Sequence, residues 1–278
     1  MLNNPAAISA VENFFGIDFS GAKDAGRHIW IARGSVEKGR LRIEDYRPAE
    51  AVLGHAGLRE CMSALCQFIA SHKDAAFGMD FPFGLPTSMV QEKTWEAFVL
   101  AFPRRYPGAE EFHHLCHQAS DGKELKRICD KEARAPFSPY NRRVYRQTYY
   151  GIRDLLRPLV MQGRARVLPM QRAETGKPVL MEVCPSSALR RLGLPFRGCK
   201  GRTIAHLSVR KAILDGLEAR TGLAIEGKAL RSAVVANAAG DALDSVVAAY
   251  ATFRAVSNPD SLIPSDNPYF RTEGHVYF

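Results

Sequence analysis

The chain has 278 residues, 46% of them hydrophobic and 24% charged, with a formal net charge of +9. That is material for a sizeable core, in one large domain or two modest ones. No internal repeat or low-complexity segment is present, and no apolar run approaches the ~20 residues that span a bilayer. Met1 to Ala10 lack the basic flank and long apolar stretch of a secretory signal, so a cytoplasmic location is expected. The six cysteines, Cys61, Cys66, Cys116, Cys129, Cys184 and Cys199, include no Cys-x-x-Cys pair and are expected as reduced, buried thiols. A charge of +9 and a pI near 9.4 suit a partner for polyanions, through salt-sensitive phosphate contacts. A basic surface without a ligand is the plainer alternative.

In chain order, residues 12–19 form an apolar run that ends in aspartate, and 28–33 and 41–46 alternate in the manner of strands. With glycine-bearing turns between them, the three segments predict an antiparallel meander. Residues 56–72 place Leu58, Cys61, Met62, Leu65, Cys66 and Ile69 at helical spacing, which predicts an amphipathic helix. Residues 75–81 are almost wholly apolar, as a buried parallel strand is, and Pro82, Gly84 and Pro86 stop them. After a long excursion, 178–184 predict a fifth strand ended by Pro185, and helices are expected over 203–221 and 230–256. Strand–helix–strand crossovers imply parallel pairing. The order of elements is that of the ribonuclease H plan: an α/β fold with a mixed five-stranded sheet flanked by helices, one domain over 1–278.

The excursion, about 103–172, is a basic helical insertion between the fourth and fifth strands. It holds 15 Lys or Arg against 7 Asp or Glu, or +8 of the total +9. Its second half interleaves Arg142, Arg143, Arg146 and Arg153 with Tyr140, Tyr145, Tyr149 and Tyr150. Arginine for phosphate and rings for bases is the composition of a nucleic-acid groove. An amphipathic helix with tyrosines packed down and arginines solvated fits the same pattern.

Acids occur where burial is expensive. Asp18 ends the first strand, Asp80 ends the fourth and Glu182 lies inside Val179–Val183. Asp241 and Asp244, three apart, share one helix face. An isolated buried carboxylate must be paired, protonated or metal-bound. Each also has a structural reading: a turn at Ser20 and Gly21 for Asp18, turn amides for Asp80, an N-cap at Asp241, and an arginine for Glu182.

Gly16-Ile17-Asp18-Phe19-Ser20-Gly21-Ala22, Gly78-Met79-Asp80-Phe81-Pro82-Phe83-Gly84-Leu85-Pro86, Glu182-Val183-Cys184-Pro185 and Asp241-Ala242-Leu243-Asp244 occur in that order. Together with Glu273-Gly274 they resemble the family called domain of unknown function 429, described as predicted ribonuclease H-like nucleases. The resemblance spans nearly the whole chain. The first and last motifs also resemble those of Holliday-junction resolvases, which carry acids on the first and fourth strands and Asp-x-x-Asp on a late helix. That pattern implies Asp18, Asp80, Asp241 and Asp244 as ligands of Mg²⁺ or Mn²⁺, and phosphodiester hydrolysis as the chemistry. Asp18 would bridge two ions, Glu182 would steer a water or hold the sheet edge, and Arg142, Arg143, Arg146, Tyr145 and Arg153 would face a nucleic acid. Two departures stand out: Asp80 occupies a position where the resolvases use glutamate, and the basic excursion has no counterpart in them.

Two other classes compete. A nucleic-acid- or protein-binding module on the same fold would use the excursion and keep the acids as ion-pair partners. An actin-like ATP-dependent phosphotransferase shares the first motif, but no glycine-rich second phosphate loop accompanies it. His113, His114, Cys116 and His117 with Cys129 match no common zinc spacing. No Gly-x-Ser-x-Gly elbow supports a serine hydrolase.

Overall fold

The first of the strands is buried along nearly its whole length, while the third alternates between buried and more exposed residues. In the computed structural model, which describes residues 5–258, 262 and 267–278, a short helix α1 (Pro5–Ser9) leads into β1 (Asn13–Asp18). The N-terminal stretch read above for an export signal includes residues 1–4, which lie outside the described residues. Helix α2 (Ala25–His28) precedes β2 (Trp30–Glu37), β3 (Arg40–Pro48) and α3 (Ala49–Leu53). Strands β1, β2 and β3 are the antiparallel meander expected. Helix α4 (Leu58–Ser71) buries Cys61, Met62, Leu65 and Ile69 of the stripe its spacing predicts, with Leu58 and Cys66 half-buried at its margins. Strand β4 (Ala75–Met79) is buried throughout and pairs in parallel with β1.

The excursion is helical. It spans α5 (Trp95–Arg105), α6 (Ala109–Ala119), α7 (Ile128–Glu132), α8 (Tyr145–Tyr150), a π-helical turn over Gly151–Leu156, and α9 (Arg157–Met161). Its last residues return to the sheet as β5 (Arg166–Leu168). Then follow β6 (Val179–Val183), α10 (Pro185–Arg191), α11 (Ile204–Thr221), β7 (Ala224–Ile225), α12 (Lys228–Ala236), α13 (Asp241–Ser257), α14 (Phe270–Glu273) and β8 (Val276–Tyr277).

The strand order is β5-β6-β4-β1-β2-β3-β7, with β8 also on β6, and β2 alone runs against the rest. The core of this arrangement is the ribonuclease H plan. Three short strands, β5, β7 and β8, extend the five expected to eight; segments of two or three residues are too brief for alternation to reveal. The helix expected over 230–256 is two helices, because Gly240 adopts φ +85° and breaks the run between Asn237 and Asp241. All six cysteines are free thiols, four of them buried. No helix among the described residues is long and apolar enough to cross a membrane.

The sheet has two apolar faces. Phe15, Ile17, Phe77, Met79 and Leu180 face α4 and the insertion. Phe14, Ala76, Val179 and Met181 face α13. Gly16 and Gly78 are registered partners at the centre of the α13 face. A Cβ on Gly16 would stand 2.0 Å from the Ser245 carbonyl and 2.1 Å from the Ala249 nitrogen; one on Gly78 would stand 1.9 Å from Thr252 Oγ1. The helix backbone therefore rests directly on the strands, through its own small residues Ser245, Ala248 and Ala249. Gly16→Ala has no flexible neighbour to displace, and overpacking of this kind costs about 2 kcal/mol or more. Urea unfolding of Gly16→Ala is expected to show at least that loss; a loss within about 0.5 kcal/mol would mean that the helix is not seated on the strand backbone.

Candidate active site

Strands β1 and β4 end side by side, and the Asp80 N–H donates to the Ile17 carbonyl at 3.0 Å. Asp18 and Asp80 follow the two glycines by two residues, so the period of a strand turns them to the α13 side. Helix α13 begins above them. Gly240 is its left-handed N-cap, and Asp241 is its first residue rather than its cap. Asp241 and Asp244 stand in the first turn, where the positive end of the helix favours carboxylates. The four aspartates line one pocket of about 430 Å³ at the carboxyl end of the sheet, with Ser20, Gln147, Cys184 and Lys200 among the other walls. The structure brings these four acids, singled out in the sequence, to one pocket.

Lys200 was not singled out by the sequence reading. Its Nζ lies 2.9 Å from Asp244 Oδ2 and 3.6 Å from Asp241 Oδ1. Buried Arg210 fixes the backbone on either side of it, donating to the carbonyls of Cys199 and Gly201, and to that of Val235 at 2.7 Å. The stem of Lys200 crosses Gly240, where a Cβ would come within 3.1 Å of its Cγ. The backbone that carries the lysine is thus held by Arg210, while its side chain remains more than half exposed at the mouth of the pocket. The bracketing Gly198 and Gly201, both at positive φ, are the signal in the sequence that such a loop was there.

The charges are strained by burial. Asp18 and Asp244 are 8% and 9% exposed. Burial, and then repulsion from Asp244, hold the Asp18 carboxyl well above its usual range, against the pull of Lys200. The same two causes push Asp80 up to about 8. Asp244 is also raised by burial, with Lys200 opposing. Burial works against the charge on Lys200, but Asp244 and Asp18 outweigh it and its pKa is raised. Buried Asp18 and Asp244 and half-buried Asp80 therefore share one ammonium.

The chemistry of this donor set fits a hard divalent cation: all oxygen, anionic, and short of positive charge. In the conformation described, no three acid, histidine or cysteine side chains among the described residues are drawn together tightly enough to ligate an ion.

Glu182 belongs elsewhere. It pairs in register with Met79, not Gly78, so it points to the opposite face of the sheet. There its carboxylate takes the Phe83 N–H at 2.9 Å and the guanidinium of Arg127, whose Nη1 lies at 2.8 Å. Arg127, fully buried, also donates to Asp130 and to the Glu273 carbonyl at 2.9 Å. Glu273 in turn accepts from the backbone of Thr87 and of Ile128, both at 2.7 Å. Burial raises Glu182, with Arg127 opposing. The Pro82–Pro86 loop, the insertion, β6 and the C-terminal segment are thereby held by one network. These contacts place Glu182, expected among the catalytic acids, outside the aspartate pocket, tying β6 to the loop after β4.

The arginine–tyrosine stretch is divided. Tyr140 and Tyr149 are fully buried, and their hydroxyls donate to the carbonyls of Lys123 and Tyr106. The hydroxyl of Tyr145 and the guanidinium of Arg146 both meet Glu110. Arg153 pairs with Asp154 and stacks over Tyr149 and Tyr150 at 4.8 and 5.1 Å, in a groove with Arg59 and Arg164 rather than in the aspartate pocket. Arg142 is exposed. Arg143 lies over the Phe137 ring at 5.5 Å and lines a cleft that adjoins the aspartates. His113 and His117 lie one turn apart on α6, with their rings 4.6 Å apart and tilted.

A family model described as "Protein of unknown function (DUF429)" matches residues 16–268. Among curated proteins, none matches. A solved structure that is similar is the crystal structure of the yeast mitochondrial Holliday junction resolvase Ydc2, with a TM-score of 0.41 and 10% identity, covering 89% of this chain and 82% of that one.

Two outcomes follow from this geometry. Asp80 titrates at about 8 when folded and near 3.8 when unfolded, so between those values the folded protein binds more protons and loses stability as pH rises. Without added divalent ions, the thermal midpoint should fall from about pH 5 to about pH 8, and Asp80→Asn should flatten that slope and melt higher than wild type at the alkaline end. A midpoint that rises over the same window would contradict this. Arg127→Met leaves Glu182 and Asp130 buried without their cation, a loss of about 3–5 kcal/mol by urea unfolding; a variant as stable as wild type would show the network to be dispensable.

Proposed function

The chain belongs to the family described as Protein of unknown function (DUF429), and from that premise we propose that it is a divalent-cation-dependent phosphodiesterase acting on a nucleic acid. One observation carries the reading above the others: Asp18, Asp80 and Asp244 are gathered from three distant parts of the chain into one pocket, with more negative charge than Lys200 can balance. A fold keeps so costly an arrangement where the charge is used. Asp18, Asp80, Asp244 and Asp241 are the residues that would hold Mg²⁺ or Mn²⁺. Bound there, such an ion lowers the pKa of water and stabilises the oxygen that leaves phosphorus.

The residues of the chain supply the rest. Asp18 lies within the field of the other three aspartates and of Lys200, which makes it the hub of the cluster. Asp80 gives up its proton when a cation arrives, so loading is proton-linked and tightens as pH rises. Lys200, anchored through Arg210, presents an ammonium to a non-bridging phosphoryl oxygen once a phosphate displaces its contact with Asp241. In the net reaction, water adds its oxygen to phosphorus, one P–O ester bond breaks, and the leaving oxygen takes up a proton. Gln147, which donates to the Asp80 carbonyl at 3.0 Å, steadies that strand end from the insertion.

Lys200 also favours a second reading. An exposed lysine that already meets Asp244 at 2.9 Å suits a module that binds nucleic acid without cutting it. Thermal shift with Mg²⁺ and Mn²⁺, on wild type and Asp18→Asn, separates the two. The phosphodiesterase reading expects the ions to stabilise wild type, by about 2.7 kcal/mol at a hundredfold excess over Kd, and to have no effect on Asp18→Asn. It also expects wild type to cleave labelled oligonucleotides and the variant to be inert. No ion-dependent shift and no cleavage in wild type would leave the binding module.

A further inference from the structure

Beside the aspartate pocket runs a second, larger cleft of about 1180 Å³. One wall comes from the insertion, with Lys131, Arg134, Phe137 and Arg143; the other follows α10, with Arg190, Phe196 and Arg197. The cleft and the aspartate pocket share Phe137, Ser186, Phe196 and Lys200, so one opens into the other. The acid in the cleft lining, Asp130, is taken up by Arg127. We propose that this cleft is the track of a single strand of nucleic acid, gripped by its phosphates along Lys131, Arg134, Arg143 and Arg197 and by its bases on Phe137 and Phe196, and led from there to the aspartates. The proposal rests on the phosphodiesterase reading for what happens at the end of the track, but its binding step does not.

The charge in this cleft is available. Lys131, Arg134, Arg143 and Arg197 are exposed and have no carboxylate partner among the described residues. Arg146 and Arg153, which looked equally suited in the sequence, are neutralised by Glu110 and Asp154. Arg190 joins the two walls: its Nη1 donates to the Arg134 carbonyl at 2.8 Å while its guanidinium lies over Phe196 at 4.3 Å. The cleft is therefore braced before any ligand enters.

The rings and the depth select an unpaired strand. Phe137 and Phe196 are half-buried where the two pockets meet, and each has an arginine over it. Phenylalanine offers a base no hydrogen bond, only a stacking face; a base would take that face in exchange for an arginine now over the ring, and only when it is out of a duplex. The acids beyond are nearly buried, Asp18 at 8% exposed. A phosphate reaches them on a backbone that bends into the pocket, as a single strand does.

The test measures binding apart from cleavage. Full-length Asp18→Asn, free of divalent ions, is titrated into labelled single-stranded DNA and RNA about 12 nucleotides long and into a duplex of the same sequence, over a range of salt. Either single strand should bind at least about tenfold more tightly than the duplex. Each of Lys131→Ala, Arg143→Ala and Arg197→Ala should lower the slope of log K against log salt by about 0.7. Phe137→Leu should weaken single-strand binding about tenfold and leave that slope alone. The proposal is overturned if the duplex binds as well as the single strand. It is also overturned if the cleft variants bind like the parent while Arg59→Ala and Arg164→Ala, in the separate arginine groove, lose affinity. Failure of wild type to cleave with Mg²⁺ or Mn²⁺ counts against the phosphodiesterase reading alone, because the binding measured in Asp18→Asn stands without it.

Discussion

The architecture depends on how closely one helix lies to two strands. Gly16 and Gly78 sit side by side in β1 and β4, and α13 rests on them with its backbone rather than with large side chains. Helices usually keep 8–10 Å from their neighbours because side chains stand between them; here that spacer is missing from both surfaces. The result is a fixed height for the first turn of α13 above the strand ends. Because a strand repeats every two residues, each glycine commits the aspartate two places later to the same face. Close packing and convergence of acids are thus one constraint seen at two levels.

A second layer holds the surroundings of the site without entering it. Arg127 is a fully buried cation whose partners, Glu182, Asp130 and the Glu273 carbonyl, come from β6, from its own helix and from α14. Its desolvation is large, and only multiple well-made contacts offset such a cost. Since β6 flanks β4, and Phe83 in the loop after Asp80 is bound to Glu182, the network determines where β4 hands over to the pocket. The insertion is drawn into the same network through Arg127, so its basic residues form a wall of the cleft rather than a loose appendage.

Much of this was legible. Residues 13–18, 75–79 and 179–183 were readable as strands because an apolar run bounded by proline or glycine has few other uses, and the acids at their ends stood out against that background. Asp241 and Asp244 were readable as a pair on a helix face. Glu182 was not separable from the other acids, because its phase depends on pairing with Met79, and register between distant strands leaves no local mark. Lys200 was missed for a related reason: a lysine in a glycine-bracketed loop is ordinary until Arg210 and α13 are placed around it. Among the arginines, Arg143, Arg146 and Arg153 looked alike in sequence, and only the positions of Glu110 and Asp154 distinguish those whose charge is already met.

The glycine strip has a consequence for how the chain comes to be folded. Gly16 is made well before the helix that covers it, which ends at Ser257. At the usual pace of synthesis, roughly ten to fifty seconds separate the strand from its cover. A β1–β4 pair formed in that interval would have a bare, backbone-lined furrow on one side, where later side chains or another chain could lodge. Small residues at Ser245, Ala248 and Ala249 make α13 a close match to so narrow a furrow, and a bulkier segment is turned away by the same sub-van-der-Waals distances that an alanine at Gly16 would meet. The tight seat that positions the acids therefore also acts, before they meet, as a gauge that admits the right helix and little else.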